Sequence, residues 1–103
     1  MLEIAAPKLN QAVSPQTPFA VAGFATPNFI KEVTIQVDNG PIMQAFITIV
    51  PMPRGVPPLA HYIGSGEVAA QSLSGSEHVV VVKSFYWQGE GETAKTSVVV
   101  VNA

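Results

Sequence analysis

The sequence predicts an all-β fold, a sandwich of two antiparallel sheets. Pro, Gly and Asn-Gly turn signals recur at short intervals, so no helix of useful length fits between them. The intervening segments are rich in β-branched and aromatic residues, which favour strands. The clearest strand is residues 32–38, where Val33, Ile35 and Val37 alternate with polar residues. This alternation predicts one buried face and one solvated face.

The size and composition indicate one packed domain. The chain has 103 residues, of which 48% are hydrophobic and 12% charged, a balance typical of a globule rather than a disordered chain. We therefore expect residues 1–103 to form a single domain. The start of the sequence lacks the basic and apolar stretches of a signal peptide, and no apolar run approaches the roughly twenty residues of a membrane helix. We expect one module of a larger protein, without membrane insertion.

The charge pattern argues against nucleic-acid partners. The net charge is −2, and the five basic residues do not cluster as phosphate binding requires. They are Lys8, Lys31, Arg54, Lys83 and Lys95. Cysteine is absent, so the chain has no disulfide, no thiolate metal site and no thiol nucleophile. This absence leaves the cellular compartment open.

Seven strands are predicted along the chain. They cover residues 4–13, 19–25, 32–38, 42–50, 68–73, 78–85 and 96–101. Asp38, Asn39 and Gly40 tolerate the positive φ of a tight hairpin turn between two of them. The Pro-rich segment 51–66 is predicted to be a loop or a short edge piece, because clustered Pro is excluded from central strands. The predicted core contains Phe19, Val21, Val33, Ile35 and Val37, with alternate residues of the two Val runs.

Three segments resemble the bacterial immunoglobulin-like domains of surface adhesins and secreted enzymes. Residues 19–25, after Ser14-Pro15, resemble the V-x-G-x-A core of the family's second strand. Residues 30–40 are similar to the V-x-V-x-V-D-G pattern of its third strand, and residues 73–81 resemble the L-x-x-G-x-H-x-V-x-V approach to its sixth. The resemblance implies a two-sheet antiparallel immunoglobulin-like β-sandwich of about seven strands. It implies no catalytic residues.

Candidate catalytic and metal-binding residues are few. A Ser-His-Asp site would need His61 or His78 with Asp38, the only aspartate, which the turn already uses. Glu90 and Glu92 lie in a Gly-rich turn that favours solvation over paired-carboxylate chemistry. The two histidines lack the spacing of a metal pair. We therefore expect no enzymatic activity, no metal and no cofactor.

The aromatic run at residues 85–87 is the feature that folding explains least. Alternation places Phe85 and Trp87 on one face and Tyr86 on the other. Exposed Tyr and Trp form contact platforms for sugars and proteins. The candidate binding residues are therefore Tyr86 and Trp87, with Tyr62 if segment 51–66 folds over that end. The alternative is that Trp87 plugs the end of the sandwich.

The leading functional hypothesis is a non-catalytic structural or interaction module, a spacer or docking domain of a bacterial surface or secreted protein. Its partners would be neighbouring domains of the same chain or another protein, in an adhesion role. The alternative is a carbohydrate-binding module that holds a polysaccharide on exposed aromatics. An extracellular or cell-surface location follows from the first hypothesis, and a cytosolic location stays open.

The two Val runs, residues 79–82 and 98–101, predict an apolar outer face that another surface hides. The cover would be a neighbouring domain, a second copy in a homodimer, or residues 42–50 folded back. Val also occupies exposed strand positions for its propensity alone, which is the competing interpretation.

Overall fold

The computed structural model describes residues 2–26, 30–86 and 94–103, and these form nine β-strands. The strands are β1 (Leu2–Ala6), β2 (Gln11–Val13), β3 (Phe19–Ala25), β4 (Ile30–Val37), β5 (Ile42–Gln44), β6 (Phe46–Val50), β7 (Leu59–Gly66), β8 (Glu77–Tyr86) and β9 (Ala94–Asn102). None of the described segments is a helix long and apolar enough to cross a membrane.

The strands form two sheets that pack face to face. Sheet A has the order β1-β3-β7-β6, and sheet B has the order β2-β9-β8-β4-β5. The pairings are antiparallel except that β2 runs parallel to β9. If the short strands β2 and β5 are not counted, sheet A contains the first, second, fifth and fourth strands of the chain. One sheet of the immunoglobulin arrangement has the same strand order. The predicted fold class is confirmed, with nine strands rather than about seven.

The predicted strand 42–50 divides at Ala45. Its first part, β5, pairs with β4 in sheet B, and its second part, β6, pairs with β7 in sheet A. The amide of Ala45 donates to the carbonyl of Val33 over 2.9 Å where the chain crosses between the sheets. The crossing site is crowded, since a Cβ on Gly64 would meet Cδ1 of Ile35 at 2.6 Å and would touch Ala45 at 3.4 Å. Position 45 accommodates a small residue, alanine. No Pro or Gly marks the division between β5 and β6 in the sequence.

The prediction that residues 51–66 form a loop or edge piece is wrong for their second half. The Pro cluster ends at Pro58, and the next eight residues form β7, which lies inside sheet A between β3 and β6. Its inner face carries Ala60 and Tyr62, both buried, followed by Gly64 and Gly66. Because Gly64 and Gly66 have no side chain, β7 can lie close to sheet B.

The predicted strand 68–73 does not form. Val68 alone of this segment is fully buried, and its carbonyl accepts a 3.0 Å hydrogen bond from the amide of Gln16. Ser72 closes a turn by donating to the carbonyl of Ala69. The segment is therefore a connection between β7 and β8 held by one apolar residue.

Three of the five individually predicted core residues are fully buried, and β4 has the predicted phase. Val21, Val33 and Ile35 are buried, whereas Phe19 and Val37 pack against the core from its margin. Ile35 is 1% exposed and Thr34 is 8% exposed, which confirms the inward phase of this strand. The alternate Val residues Val80, Val82 and Val100 complete the same layer.

The first and last described strands reach opposite ends of the sandwich. Leu2 pairs with Ala25 at the end of β3, beside the start of β4. Asn102 pairs with Val13, and its amide donates to the carbonyl of Ser76 just before β8 begins. The start of β4 lies beside the end of β8, and the end of β9 lies beside the start of β8, because β8 runs antiparallel to both strands. Leu2 and Asn102 therefore lie at opposite ends of the sandwich. We call them the N-terminal end and the C-terminal end.

Candidate functional site

Tyr62 lies in the core and not on a surface. It points inward from the central strand β7 and is fully buried. Its hydroxyl donates a 2.7 Å hydrogen bond to the carbonyl of Glu3 on β1, and burial raises its pKa. The prediction that Tyr62 joins an exposed aromatic platform is wrong, because the segment that carries it is a strand and not a loop.

Tyr86, the second predicted aromatic, also lies against the core. Tyr86 ends β8 opposite Ile30, is half-buried and packs against the core cluster. Trp87 lies outside the described residues, as do Glu90 and Glu92. The described residues therefore place Tyr62 and Tyr86 on inner faces and leave the role of Trp87 as a prediction.

A polar chain of Asp38, His78 and Ser76 crosses the C-terminal end. Asp38 begins the turn after β4 with a φ of 54°, which an aspartate tolerates better than most residues. Its Oδ2 lies 2.7 Å from Nδ1 of His78, and its Oδ1 accepts a 3.0 Å bond from the amide of Val79. Nε2 of His78 lies 3.1 Å from Oγ of Ser76. These residue types, in this order, are those of a hydrolase triad.

The surrounding contacts favour a structural role for the hydrogen-bonded group of Asp38, His78 and Ser76. The hydroxyl of Ser76 also donates to the carbonyl of Leu73 over 2.6 Å, and one hydrogen serves one acceptor at a time. The amides of Gly75 and Ser76, which would be needed for an oxyanion hole, already donate to Asn102 and Leu73. His78 itself is buried. These hydrogen bonds thus join the turn between β4 and β5 to the start of β8.

The other titratable residues do not assemble with this chain. His61 lies on sheet A with its ring centroid 5.3 Å from that of Phe24. Within residues 2–26, 30–86 and 94–103, no three His, Asp or Glu side chains come together as a metal site.

The outward side of β3, β6 and β7 is an uncharged surface, here called the sheet A face. Phe46 is 80% exposed and pairs across the strands with Ile63, which is 45% exposed. The strand that carries Phe46, β6, is the free edge of sheet A. No Asp, Glu, Lys or Arg occupies the ten outward positions, which are Ala20, Ala22, Phe24, Phe46, Thr48, Val50, Leu59, His61, Ile63 and Ser65.

The outer side of the Val runs is only partly open. Val79 is 41% exposed, whereas Val81, Val99 and Val101 are half-buried. Residues 42–50 do not fold back over them, because β5 extends sheet B at its edge and β6 belongs to sheet A. That form of the predicted cover is wrong. Cover by a neighbouring domain or a second copy stays a prediction, which sedimentation at high protein concentration tests.

A cavity of about 540 Å³ opens between the sheets at the C-terminal end. One wall consists of inner-face residues of β4 and β5, among them Ile35 and Met43. The opposite wall consists of the last two residues of β7 and the segment that follows it, from Ser65 to Gln71. Its volume lies in the range of small-molecule pockets.

No known family is matched. Neither a protein-family model nor a curated protein sequence is significantly similar to this chain. The case for its function therefore depends on the surfaces described above.

Sequence reasoning missed both the sheet A face and the cavity. The alternation of Leu59, His61 and Ile63 with Ala60 and Tyr62 is a strand signal that the preceding Pro cluster obscured. Reading it would have placed Ile63 outward and Tyr62 inward. The cavity has no comparable signal, because residues distant in the sequence form its two walls.

Proposed function

We propose that this chain is a non-catalytic immunoglobulin-like interaction module of a bacterial surface or secreted protein, and that it docks onto a protein partner through the sheet A face. The observation that carries the proposal is the exposed pair Phe46 and Ile63 on the uncharged outward side of β3, β6 and β7, with the exposed Glu3 on β1 at the opposite edge of the sheet. Contiguous exposed apolar surface in soluble proteins marks interaction sites. Aromatic residues are enriched at the centres of such interfaces.

The free edge strand supports the same proposal. β6 presents unpaired backbone donors and acceptors beside Phe46, and it has no Lys, Glu or internal Pro to block pairing. A partner strand added there would extend sheet A and cover Phe46 at once.

The non-catalytic part of the proposal has its support at the C-terminal end. Ser76, the sole candidate nucleophile beside His78 among the described residues, directs its shorter hydrogen bond to Leu73. The alternative of polysaccharide binding draws less support, since Tyr62 is buried and Tyr86 packs against the core.

Site-specific photocrosslinking tests the docking proposal. A photoreactive phenylalanine replaces Phe46 in one variant and Leu73 in the matched control, which is 78% exposed in the connection between β7 and β8. In the surface and secreted fractions of the organism that encodes the chain, we expect a discrete adduct from position 46 and none from position 73. Equal adducts from both positions, or none from position 46, would contradict the proposal. Retention on a polysaccharide gel would favour the alternative.

A further inference from the structure

The cavity at the C-terminal end exists because one of its walls carries small side chains. Gly66, Ala69 and Ala70 lie opposite the inner face of β4 and β5. A Cβ on Gly66 would meet the ring of Phe19 at 2.9 Å and Val37 at 3.0 Å, so the two sheets are in close contact at that point. The cavity opens beyond Gly66, where Ala69 and Ala70 are exposed and carry no large side chain.

Hydrogen bonds hold the cavity open on both sides. The carbonyl of Val68, which lies in the second wall, accepts from the amide of Gln16, another lining residue. On the first side, the amide of Gly40 donates to the carbonyl of Val37 over 3.0 Å. Asp38, at the same rim, is held by His78 and the amide of Val79. The cavity is therefore built into the fold and does not depend on a mobile segment.

The charges around the cavity have one sign. Asp38 and Glu67 both line it, and none of its described lining residues is Lys, Arg or His. Glu67 is exposed, and the apolar lining that a ligand can reach includes Met43, Ala69 and Ala70, because Ile35 and Val68 are each only 1% exposed. An apolar body would bury its surface in the interior, and a cationic group would remain hydrated at the rim beside the carboxylates.

We infer that this cavity binds a small amphipathic cation, a primary amine on an aliphatic or aromatic body. The apolar walls supply the affinity by removing the body of the ligand from water. The exposed carboxylate of Glu67 selects the charge, because both oxygens of Asp38 are already bonded to His78 and the amide of Val79, and no described lining residue offers an anion a positive charge. This site lies at the C-terminal end, apart from the sheet A face, and does not depend on the proposed docking function.

NMR titration with three matched ligands tests the inference. n-Hexylamine, 1-hexanol and hexanoate share a six-carbon body and differ in charge. We expect hexylamine to shift the methyl signals of Met43, Ala69 and Ala70 and to leave those of Val81 and Val99, on the outer side of sheet B, in place. Hexylamine should bind about fivefold more tightly than hexanol, in line with one exposed ion pair, and hexanoate should bind weakest.

Two variants separate the contribution of charge from that of the cavity. Glu67→Gln should weaken hexylamine binding by about two- to fivefold and leave hexanol binding unchanged. The matched control is Glu77→Gln, which removes an exposed carboxylate outside the cavity and should change neither. Ala70→Trp should fill the cavity and abolish binding of all three ligands.

The inference is overturned if hexylamine leaves the cavity methyl signals in place, or if the three ligands bind equally well. Methyl shifts in the wild-type chain decide the first point even where Ala70→Trp does not fold. Photocrosslinking at position 46 is a separate measurement, so the failure of one proposal leaves the other standing.

Discussion

The hydroxyl of Tyr62 donates a 2.7 Å hydrogen bond to the carbonyl of Glu3, a residue two strands away in sheet A. The bond passes beneath β3 at Gly23, which pairs with both Ile4 and Tyr62. It connects the central strand of the sheet to its first strand through a buried group. An unpaired hydroxyl in this position would be costly, so the contact stabilises one arrangement of β1, β3 and β7.

We expect Gly23→Ala to lower the free energy of unfolding by at least about 3 kcal/mol. The added Cβ would collide with the carbonyl of Glu3 and would lie 2.6 Å from the hydroxyl of Tyr62. Urea denaturation measures the loss. Gly40→Ala is the matched control, since a Cβ there would meet only the carbonyl of Val37 at 3.1 Å. Similar losses in the two variants would show that the packing at Gly23 is not what requires glycine.

The stability of the wild-type chain should fall as the pH rises above about 10, the ordinary pKa of tyrosine. Burial raises the pKa of Tyr62, so above pH 10 the unfolded chain releases this proton while the folded chain retains it. The unfolded state then binds fewer protons, and the free energy of unfolding decreases with pH. Tyr62→Phe removes this contribution and should lose about 1–2 kcal/mol at neutral pH through the missing hydrogen bond. Identical slopes above pH 10 in both proteins would contradict the assignment.

A double-mutant cycle should reveal coupling between Asp38 and His78 of about 0.5–3 kcal/mol. The single variants are Asp38→Ala and His78→Ala, and urea denaturation supplies the four stabilities. Asp38→Asn should lose less than Asp38→Ala, because asparagine tolerates the positive φ and keeps an oxygen for the amide of Val79. Additive losses would show that the 2.7 Å contact contributes nothing to folding.

Two isoleucines in the same sheet should differ in the cost of truncation. Ile35 is 1% exposed and Ile42 is 65% exposed, on strands that pair with each other. We expect Ile35→Ala to lower the free energy of unfolding by about 2–5 kcal/mol. Ile42→Ala should lower it by less than about 1 kcal/mol. A loss under about 0.5 kcal/mol at Ile35 would contradict its place in the core.

Local patterns predicted the phase of single strands but not the partners of every strand. The alternation around Val33 and Ile35 and the Asp38 turn appear in the structure as predicted. The Pro cluster hid β7, although the chain after Pro58 alternates in the manner of a strand. The predicted aromatic site failed for the same reason, because Tyr62 was assigned to a loop.

The sequence by itself determined the all-β class and the core phase of β4. These follow from short-range alternation, which makes one face of each strand apolar before any partner is known. The tertiary structure decided that the chain changes sheets at Ala45, that Tyr62 bonds to Glu3, and that a cavity remains beside Gly66. Each of these depends on the fit between residues far apart in the sequence, and local propensity holds no record of that fit.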